Sequence, residues 1–187
     1  MLQLVKEYGK YLEITGYRNI KFEAAETFLK ANRKLNRQNV DIQFFNAEFI
    51  ATQEHLYFAV LNALQAFKNK TNLSKSPAME TMLYASAQRQ IQKAIERNGI
   101  KPETRNMALI IIGDDPKQIE SALQAVTKSL GSEPDESVLE ITKPKETKIK
   151  KAFEITEEEL KVEENGGQEK TIANLVIERV ALLSTRQ

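Results

Sequence analysis

The chain has 187 residues, with 27 lysines and arginines against 26 aspartates and glutamates, so its formal net charge is +1. It contains one histidine and no cysteine, which excludes disulfides, cysteine–zinc sites and multi-histidine metal centres. No apolar run approaches the roughly 20 residues that span a bilayer. We therefore expect a soluble, cytoplasmic protein with a single domain over residues 1–187.

The first half of the chain alternates strand and helix patterns. Residues 10–22 alternate in polarity around Gly16 and predict two strands joined by a turn. A helix over 23–37 follows, and one of its faces is basic. The cations of that face are Lys30, Arg33, Lys34 and Arg37. The next predicted elements are a strand over 39–47 and long helices over 53–70 and 77–98.

The second half begins with the clearest strand. Residues 106–113 form a near-continuous apolar run, typical of a strand buried on both faces. Asp115 and Pro116 fit the N-cap and first turn of a helix to about Leu130. The remaining predicted elements are a short strand near 137–142, a basic stretch over 143–151, an acidic linker over 154–169 and a final helix over 170–184. Together the elements predict an α/β (α+β) fold, in which several helices pack on a small mixed or antiparallel sheet of about four strands.

Two of the predicted helices carry more apolar surface than a surface helix needs. A sheet needs a central helix to cover it, so we assign 53–70 to the core. The last helix has a broad apolar face, formed by Ile172, Val176, Val180 and Leu183. This helix either lies in the core or meets another protein, and the sequence favours neither.

Residue patterns that support catalysis are scarce. His55 lies in the first turn of its helix without an evident Ser, Thr or Asp partner, which is more typical of a structural histidine than of a general base. Asp114 and Asp115 follow a buried strand, where carboxylates can hold Mg²⁺, although Asp115 equally fits a helix cap. We expect no cofactor, no metal and no catalysis. A small-substrate enzyme that uses His55 or Asp114/Asp115 is kept as an alternative.

Basic residues cluster between Lys68 and Arg105, where eight lysines and arginines face three acids. In the predicted 77–98 helix, cations recur every four residues and therefore share one side. A cationic row beside an aromatic ring is typical of a surface for single-stranded nucleic acid, whereas a solvated helix face is the competing interpretation. The candidate nucleic-acid-binding residues are Lys68, Lys70, Lys75, Tyr84, Arg89, Lys93 and Arg97.

Short motifs occur in a distinctive order along residues 40–185. They are IQFFNAEFIA (42–51), His55-Leu56, Ala59, Ala63, Ala66-Phe67, Glu80, Leu83-Tyr84, Arg89-Gln90-Ile91, Ala94-Ile95, Asn98-Gly99-Ile100, Ile112-Gly113, ITEEEL (155–160) and LVIERVALL (175–183). No motif is diagnostic alone. Their order and spacing resemble the family of PRPK-binding subunits of the KEOPS (EKC) complex.

The resemblance implies a role in tRNA modification. The KEOPS complex helps to install threonylcarbamoyl on the adenosine next to the anticodon of tRNAs that read ANN codons. The subunit of this family is not the transferase. It binds the small lobe of the complex's atypical kinase/ATPase subunit, supports the activity of that subunit, and holds the single-stranded 3′ CCA end of tRNA. We therefore expect a non-catalytic protein that is monomeric when isolated.

The resemblance also suggests a surface for each partner. The candidate nucleic-acid-binding residues would receive the tRNA end, with the basic face of the 23–37 helix as a rival surface. The last helix and the ITEEEL segment would face the kinase. The predicted kinase-interface residues are Ile155, Leu160, Leu175, Val176, Arg179 and Leu183. A homodimer that packs through the last helix is a further alternative.

Overall fold

The computed structural model describes residues 2–21, 23, 27, 40–162 and 167–185. The strands and α-helices are β1 (Gln3–Val5), β2 (Lys10–Tyr17), β3 (Val40–Asn46), α1 (Gln53–Asn69), α2 (Pro77–Ala85), α3 (Ile91–Asn98), β4 (Met107–Gly113), α4 (Pro116–Leu130), α5 (Lys143–Ala152), α6 (Glu157–Val162) and α7 (Gln168–Ala181). All four cations of the predicted 23–37 helix lie outside the described residues. Within those residues, no helix is both long and apolar enough to cross a membrane.

A four-stranded antiparallel sheet in the order β1-β2-β4-β3 forms the middle of the fold. The central strand β4 is buried along its whole length. Because side chains alternate along a strand, Ile110 faces one side of the sheet and Ile111 the other. The Ile110 side packs against α1 and α2, and the Ile111 side packs against α4. The predicted fold class and the predicted buried strand are confirmed.

Helix α1 lies at the centre of the first layer, as its composition predicts. Leu56, Ala59 and Val60 are all 0% exposed. The hydroxyl oxygen of Thr52 caps the helix by accepting a hydrogen bond from the backbone N–H of His55 at 3.2 Å. Helix α4 begins at Asp115, whose carboxylate accepts a bond from a backbone N–H of the first turn, as predicted.

The predicted single helix over 77–98 is wrong, because the chain turns between α2 and α3. The carbonyl oxygen of Ala85 accepts hydrogen bonds from His55 Nε2 at 2.8 Å and Asn98 Nδ2 at 3.0 Å. In a continuous helix that oxygen would instead accept from the backbone N–H four residues later. Ala87 then adopts a left-handed conformation, with φ of 50°, and reverses the chain direction.

Gly16 lies within strand β2, so the predicted pair of strands over 10–22 is a single strand. A Cβ at this position would lie 2.1 Å from Val138 Cγ2 and 3.0 Å from the carbonyl oxygen of Asp135. The glycine therefore lets the 3₁₀ turn Glu136–Leu139 pack directly on the strand. The short strand predicted near 137–142 is wrong, because its first residues belong to this 3₁₀ turn. The backbone N–H of Asp135 anchors the turn by donating to the Gly16 carbonyl at 2.7 Å.

His55 is fully buried and serves as a structural link between helices. Its Nδ1 accepts a hydrogen bond from the Ala51 N–H at 3.1 Å, while its Nε2 donates to Ala85. The ring also packs edge-on against Phe153, with ring centroids 5.6 Å apart. These contacts use the neutral imidazole, and burial lowers the pKa of His55 to about 4.

We predict that Gly16→Ala destabilises the fold by about 1–3 kcal/mol, because the added methyl overlaps Val138. Chemical denaturation measures the free energy of unfolding. Val138→Ala serves as the partner in a double-mutant cycle, since it removes the overlapping Cγ2 atom. The double variant should lose less stability than the sum of the single variants. Additive losses would show that the close approach is not the cause.

We predict that His55 makes the protein less stable in acid. The unfolded histidine takes up a proton near pH 6.5 and the folded one only near pH 4. This contribution is fully present above about pH 6.5 and is lost as the pH falls towards 4. Between pH 7 and pH 5 it amounts to about 2 kcal/mol.

The control is His55→Gln, which keeps an N–H donor and cannot ionise. Urea unfolding at pH 7 and pH 5 should give a smaller pH effect for this variant than for the natural protein. All other ionisable groups are the same in the two proteins, so the difference isolates His55. An equal pH effect in the two proteins would contradict the prediction.

Candidate functional site

The alternative enzyme would use His55, Asp114 and Asp115, and all three side chains are bound to structural partners. Both ring nitrogens of His55 are hydrogen-bonded, as described above. Asp114 pairs with Lys10 Nζ at 2.7 Å, and the Asp115 carboxylate accepts from the Lys117 backbone N–H at 2.9 Å. In the described part of the chain, no three His, Cys, Asp or Glu side chains gather as a metal site would require. The geometry therefore favours a binding protein over this enzyme.

The predicted basic row is divided by the break between α2 and α3. Arg89 lies in the turn before α3, and Lys93 is exposed on that helix. Arg97 turns inward: its Nη1 donates to the Ser86 carbonyl at 2.9 Å, and its guanidinium lies 5.8 Å from the Phe153 ring centroid. Burial lowers the pKa of Arg97. The expectation that these three cations share one helix face is therefore wrong.

A cavity of about 280 Å³ brings Tyr84 and Arg89 together beside the turn. The hydroxyl-bearing residues Thr71 and Ser184 also line it. Tyr84 is only 7% exposed, since most of its side chain packs in the core. Burial accordingly raises the pKa of its phenol. Tyr84 therefore forms part of the cavity wall rather than an exposed ring, and the stacking of a base on it stays a prediction.

Two predicted lysines lie in the chain segment that contributes Thr71 and Leu73 to this cavity. Lys70 ends α1 in a left-handed conformation and Lys75 lies in the following loop, and both are exposed. The buried carboxylate of Glu80 fixes the loop by accepting the backbone N–H groups of Leu73 at 3.1 Å and Ser74 at 2.7 Å. Thr71 and Leu73 both line the cavity, so Lys70 and Lys75 are neighbours in the chain of the segment that forms its wall. We call the cavity, with Lys70, Lys75 and Arg89, the basic cavity.

Lys68 contacts a different aromatic residue. Its Nζ lies 5.6 Å from the centroid of the Tyr8 ring, within the range of a cation–π contact. The Tyr8 hydroxyl donates to Gln65 on the exposed side of α1 at 2.6 Å. Sequence reasoning missed Tyr8, since nothing in its local pattern shows that the first hairpin lies beside the end of α1.

Most of the predicted kinase-interface residues lie in the core. Ile155, Leu175, Val176 and Leu183 are between 0% and 8% exposed. The expectation that they form an open apolar surface is wrong, because the fold itself covers this face of α7. Leu160 is half-buried beside the same core. The residues that contact the kinase stay a prediction.

Arg179 is half-buried and bridges two neighbouring segments. It donates to Glu159 of α6 at 2.5 Å and to the Phe153 carbonyl at 3.4 Å. Together with Arg97 it lines a small polar cavity of about 210 Å³. Arg97 and Arg179 were predicted to lie on separate surfaces, whereas the structure brings both to Phe153.

Lys145 is a buried cation that sequence reasoning also missed. Its Nζ donates to the carbonyl oxygens of Val138 at 2.8 Å and Glu140 at 3.0 Å. Burial lowers its pKa to about 8, although Glu48 and Glu140 oppose this shift. Lys145 lies in a basic stretch, so only the three-dimensional packing distinguishes it from its exposed neighbours. Its bonds support a structural role in holding the 3₁₀ turn.

Comparison with known proteins agrees with the resemblance found in the sequence. The family model described as kinase binding protein CGI-121 matches residues 17–184. The regulatory protein Cgi121 of Methanocaldococcus jannaschii is 34% identical over 126 residues, which cover 67% of this chain and 79% of that protein. Both descriptions name regulatory or kinase-binding proteins, in agreement with the predicted non-catalytic role. The chain belongs to the CGI-121 family of kinase-binding proteins.

Proposed function

We propose that the chain is the kinase-regulating and tRNA-binding subunit of the KEOPS complex, acting in the cytoplasm in the threonylcarbamoyladenosine modification of tRNA. In this role it binds and supports the complex's kinase/ATPase subunit and holds the 3′ CCA end of tRNA. The observation that carries the proposal is the match to the kinase-binding family over residues 17–184. The isolated protein is proposed to be a monomer.

The basic cavity supports the tRNA part of the proposal. Proteins hold a single strand by placing cations along its phosphates and by enclosing or stacking its bases. Lys70, Lys75 and Arg89 supply the cations, and the cavity beside them measures about 280 Å³. This volume is close to the lower end of the roughly 300–1,000 Å³ range of small-molecule sites. Such a space suits one terminal nucleotide better than a folded RNA helix.

The wall of the basic cavity offers groups that can recognise a base or ribose. Thr71 and Ser184 contribute hydroxyls, and Tyr84 contributes a phenol. Each hydroxyl can donate and accept a hydrogen bond. We therefore assign the phosphates to the cations at the edge and the terminal nucleoside to the polar interior.

We predict that the double variant Lys70→Glu/Arg89→Glu weakens the binding of intact tRNA by about tenfold or more at physiological salt, because it reverses two of the cations at the cavity edge. It should also make the affinity less dependent on salt concentration. Fluorescence anisotropy across a salt series measures both effects. The natural protein should bind tRNA with an intact CCA end more tightly than the same tRNA trimmed of it.

The matched control is Lys117→Glu/Lys128→Glu, which reverses two exposed lysines of α4 on the opposite side of the sheet. The control changes the net charge equally and should retain most of the tRNA affinity. Equal loss in the two double variants would assign the effect to net charge alone. Equal binding of intact and trimmed tRNA would contradict recognition of the CCA end.

A further inference from the structure

The small polar cavity beside Phe153 lies where α3, α7 and the end of α5 meet. Its volume is about 210 Å³, and Arg97 of α3 and Arg179 of α7 both line it. Residues 152–154, at the end of α5, and residues 87–88, in the turn before α3, complete the lining. We call this space the arginine cavity. Two guanidinium groups from separate helices therefore converge on one small space.

Arg97 is a half-buried cation that is held by neutral groups. Its Nη1 donates to the Ser86 carbonyl oxygen at 2.9 Å. In the amide orientation that pairs donors with acceptors, the Gln88 oxygen accepts from Nη1 at 3.0 Å and from Nη2 at 3.1 Å. No carboxylate in the described part of the chain forms an ion pair with this guanidinium. The protein therefore places a partly desolvated positive charge beside the cavity without a bound counter-ion.

Arg179 supplies a second cation, which is only partly engaged. Its Nη2 donates to Glu159 and its Nε donates to the Phe153 carbonyl oxygen. The remaining nitrogen, Nη1, lies 4.0 Å from Glu178, which is too far for a hydrogen bond. Among the residues that the structure describes, Nη1 thus keeps its hydrogens available for another acceptor.

The size and charge of the arginine cavity suit a phosphate group. A guanidinium donates paired, parallel hydrogen bonds to the oxygens of a phosphate or a carboxylate. Two cations favour the doubly charged phosphate over the singly charged carboxylate, and Glu154 is the one acidic residue of the described lining. The cavity is smaller than the roughly 300–1,000 Å³ of sites that enclose a whole small molecule. It therefore has room for a single anionic group.

The surrounding charges disfavour a strand of RNA in this cavity. Glu159, which pairs with Arg179, is preceded on α6 by the exposed Glu157 and Glu158. Glu154 is exposed as well. A polyanion that passed along this side would bring several phosphates near these carboxylates, whereas a single phosphate meets the two guanidinium groups.

We propose that the arginine cavity binds a phosphate group, as inorganic phosphate or as the end of a small phosphorylated molecule, through Arg97 and Arg179. The bound group supplies the counter-ion that Arg97 lacks and links α3 to α7. This inference is independent of the proposed tRNA- and kinase-binding roles.

The first test compares thermal unfolding in phosphate and in sodium chloride of equal ionic strength. At about 50 mM, phosphate should raise the Tm of the natural protein by about 3 °C more than it raises that of Arg97→Gln. The comparison removes the general stabilisation that phosphate gives to proteins. Arg105→Gln, which removes an exposed arginine elsewhere, should keep the whole gain. Glycerol 3-phosphate is tested in parallel, and the larger gain identifies the free ion or the ester as the ligand.

A second variant keeps the test decisive where Arg97→Gln fails to fold. Glu154 is exposed and lines the cavity, so Glu154→Gln removes a repulsive charge without disturbing the core. The gain in Tm from phosphate should be larger in this variant than in the natural protein. Glu103→Gln removes an exposed acid elsewhere and should leave the gain unchanged.

Two results would overturn the inference. Equal gains in the natural protein, Arg97→Gln and Glu154→Gln, with both phosphate compounds, would reduce the effect to a general action of the salt. Phosphate could instead weaken the binding of intact tRNA to the natural protein and not to Arg97→Gln, which would make the cavity part of an RNA path. Neither result would contradict the kinase-binding role.

Discussion

The carbonyl oxygen of Ala85 accepts hydrogen bonds from two buried side chains, and this constraint fixes the positions of three helices. His55 reaches it from α1 at 2.8 Å and Asn98 reaches it from α3 at 3.0 Å. Because this acceptor is occupied, helix α2 ends here. Arg97 donates a hydrogen bond to the next carbonyl oxygen, that of Ser86. The turn places Arg89 beside the loop that follows α1. The basic cavity therefore depends on a buried polar network, in which the loss of one partner leaves another unsatisfied.

The sequence predicts an element well where neighbouring residues decide it. The buried apolar run of β4, the central helix α1 and the Asp115 cap of α4 all follow from local pattern and chemistry. The predictions fail where a residue distant in sequence determines the local structure. Val138, for example, packs against Gly16 where a side chain would otherwise lie. The site follows the same division: composition identifies the cations of the basic cavity, but periodicity cannot show that Arg97 turns inward. Likewise, the apolar face of α7 is evident from its spacing, whereas the elements that cover it are not.

Phe153 connects helices α1, α3 and α7. Its ring contacts His55 and lies beneath Arg97, while its carbonyl accepts a hydrogen bond from Arg179 of α7. Helices α1, α3 and α7 therefore share contacts with this one buried residue. A displacement of α7 has to be accommodated at this residue, because a close-packed interior transmits strain rather than absorbing it.

Charge is distributed along α1 and α7 in a way that helix electrostatics explains. The two helices pack in the same direction: Glu54 and Glu169 in their first turns line one cavity, and Thr71 and Ser184 in the segments that follow them line another. The dipoles of two helices that run in the same direction repel each other. Acidic residues at the two N-termini and cations at the C-terminus of α1 offset this repulsion, by about 0.3–1 kcal/mol for each charged group. Helix α1 has 17 residues, so its two ends lie about 25 Å apart. That distance is about three Debye lengths at physiological salt, so charges at one end are largely screened from charges at the other. The same helix pair can therefore carry a cation-attracting end and an anion-attracting end at the same time.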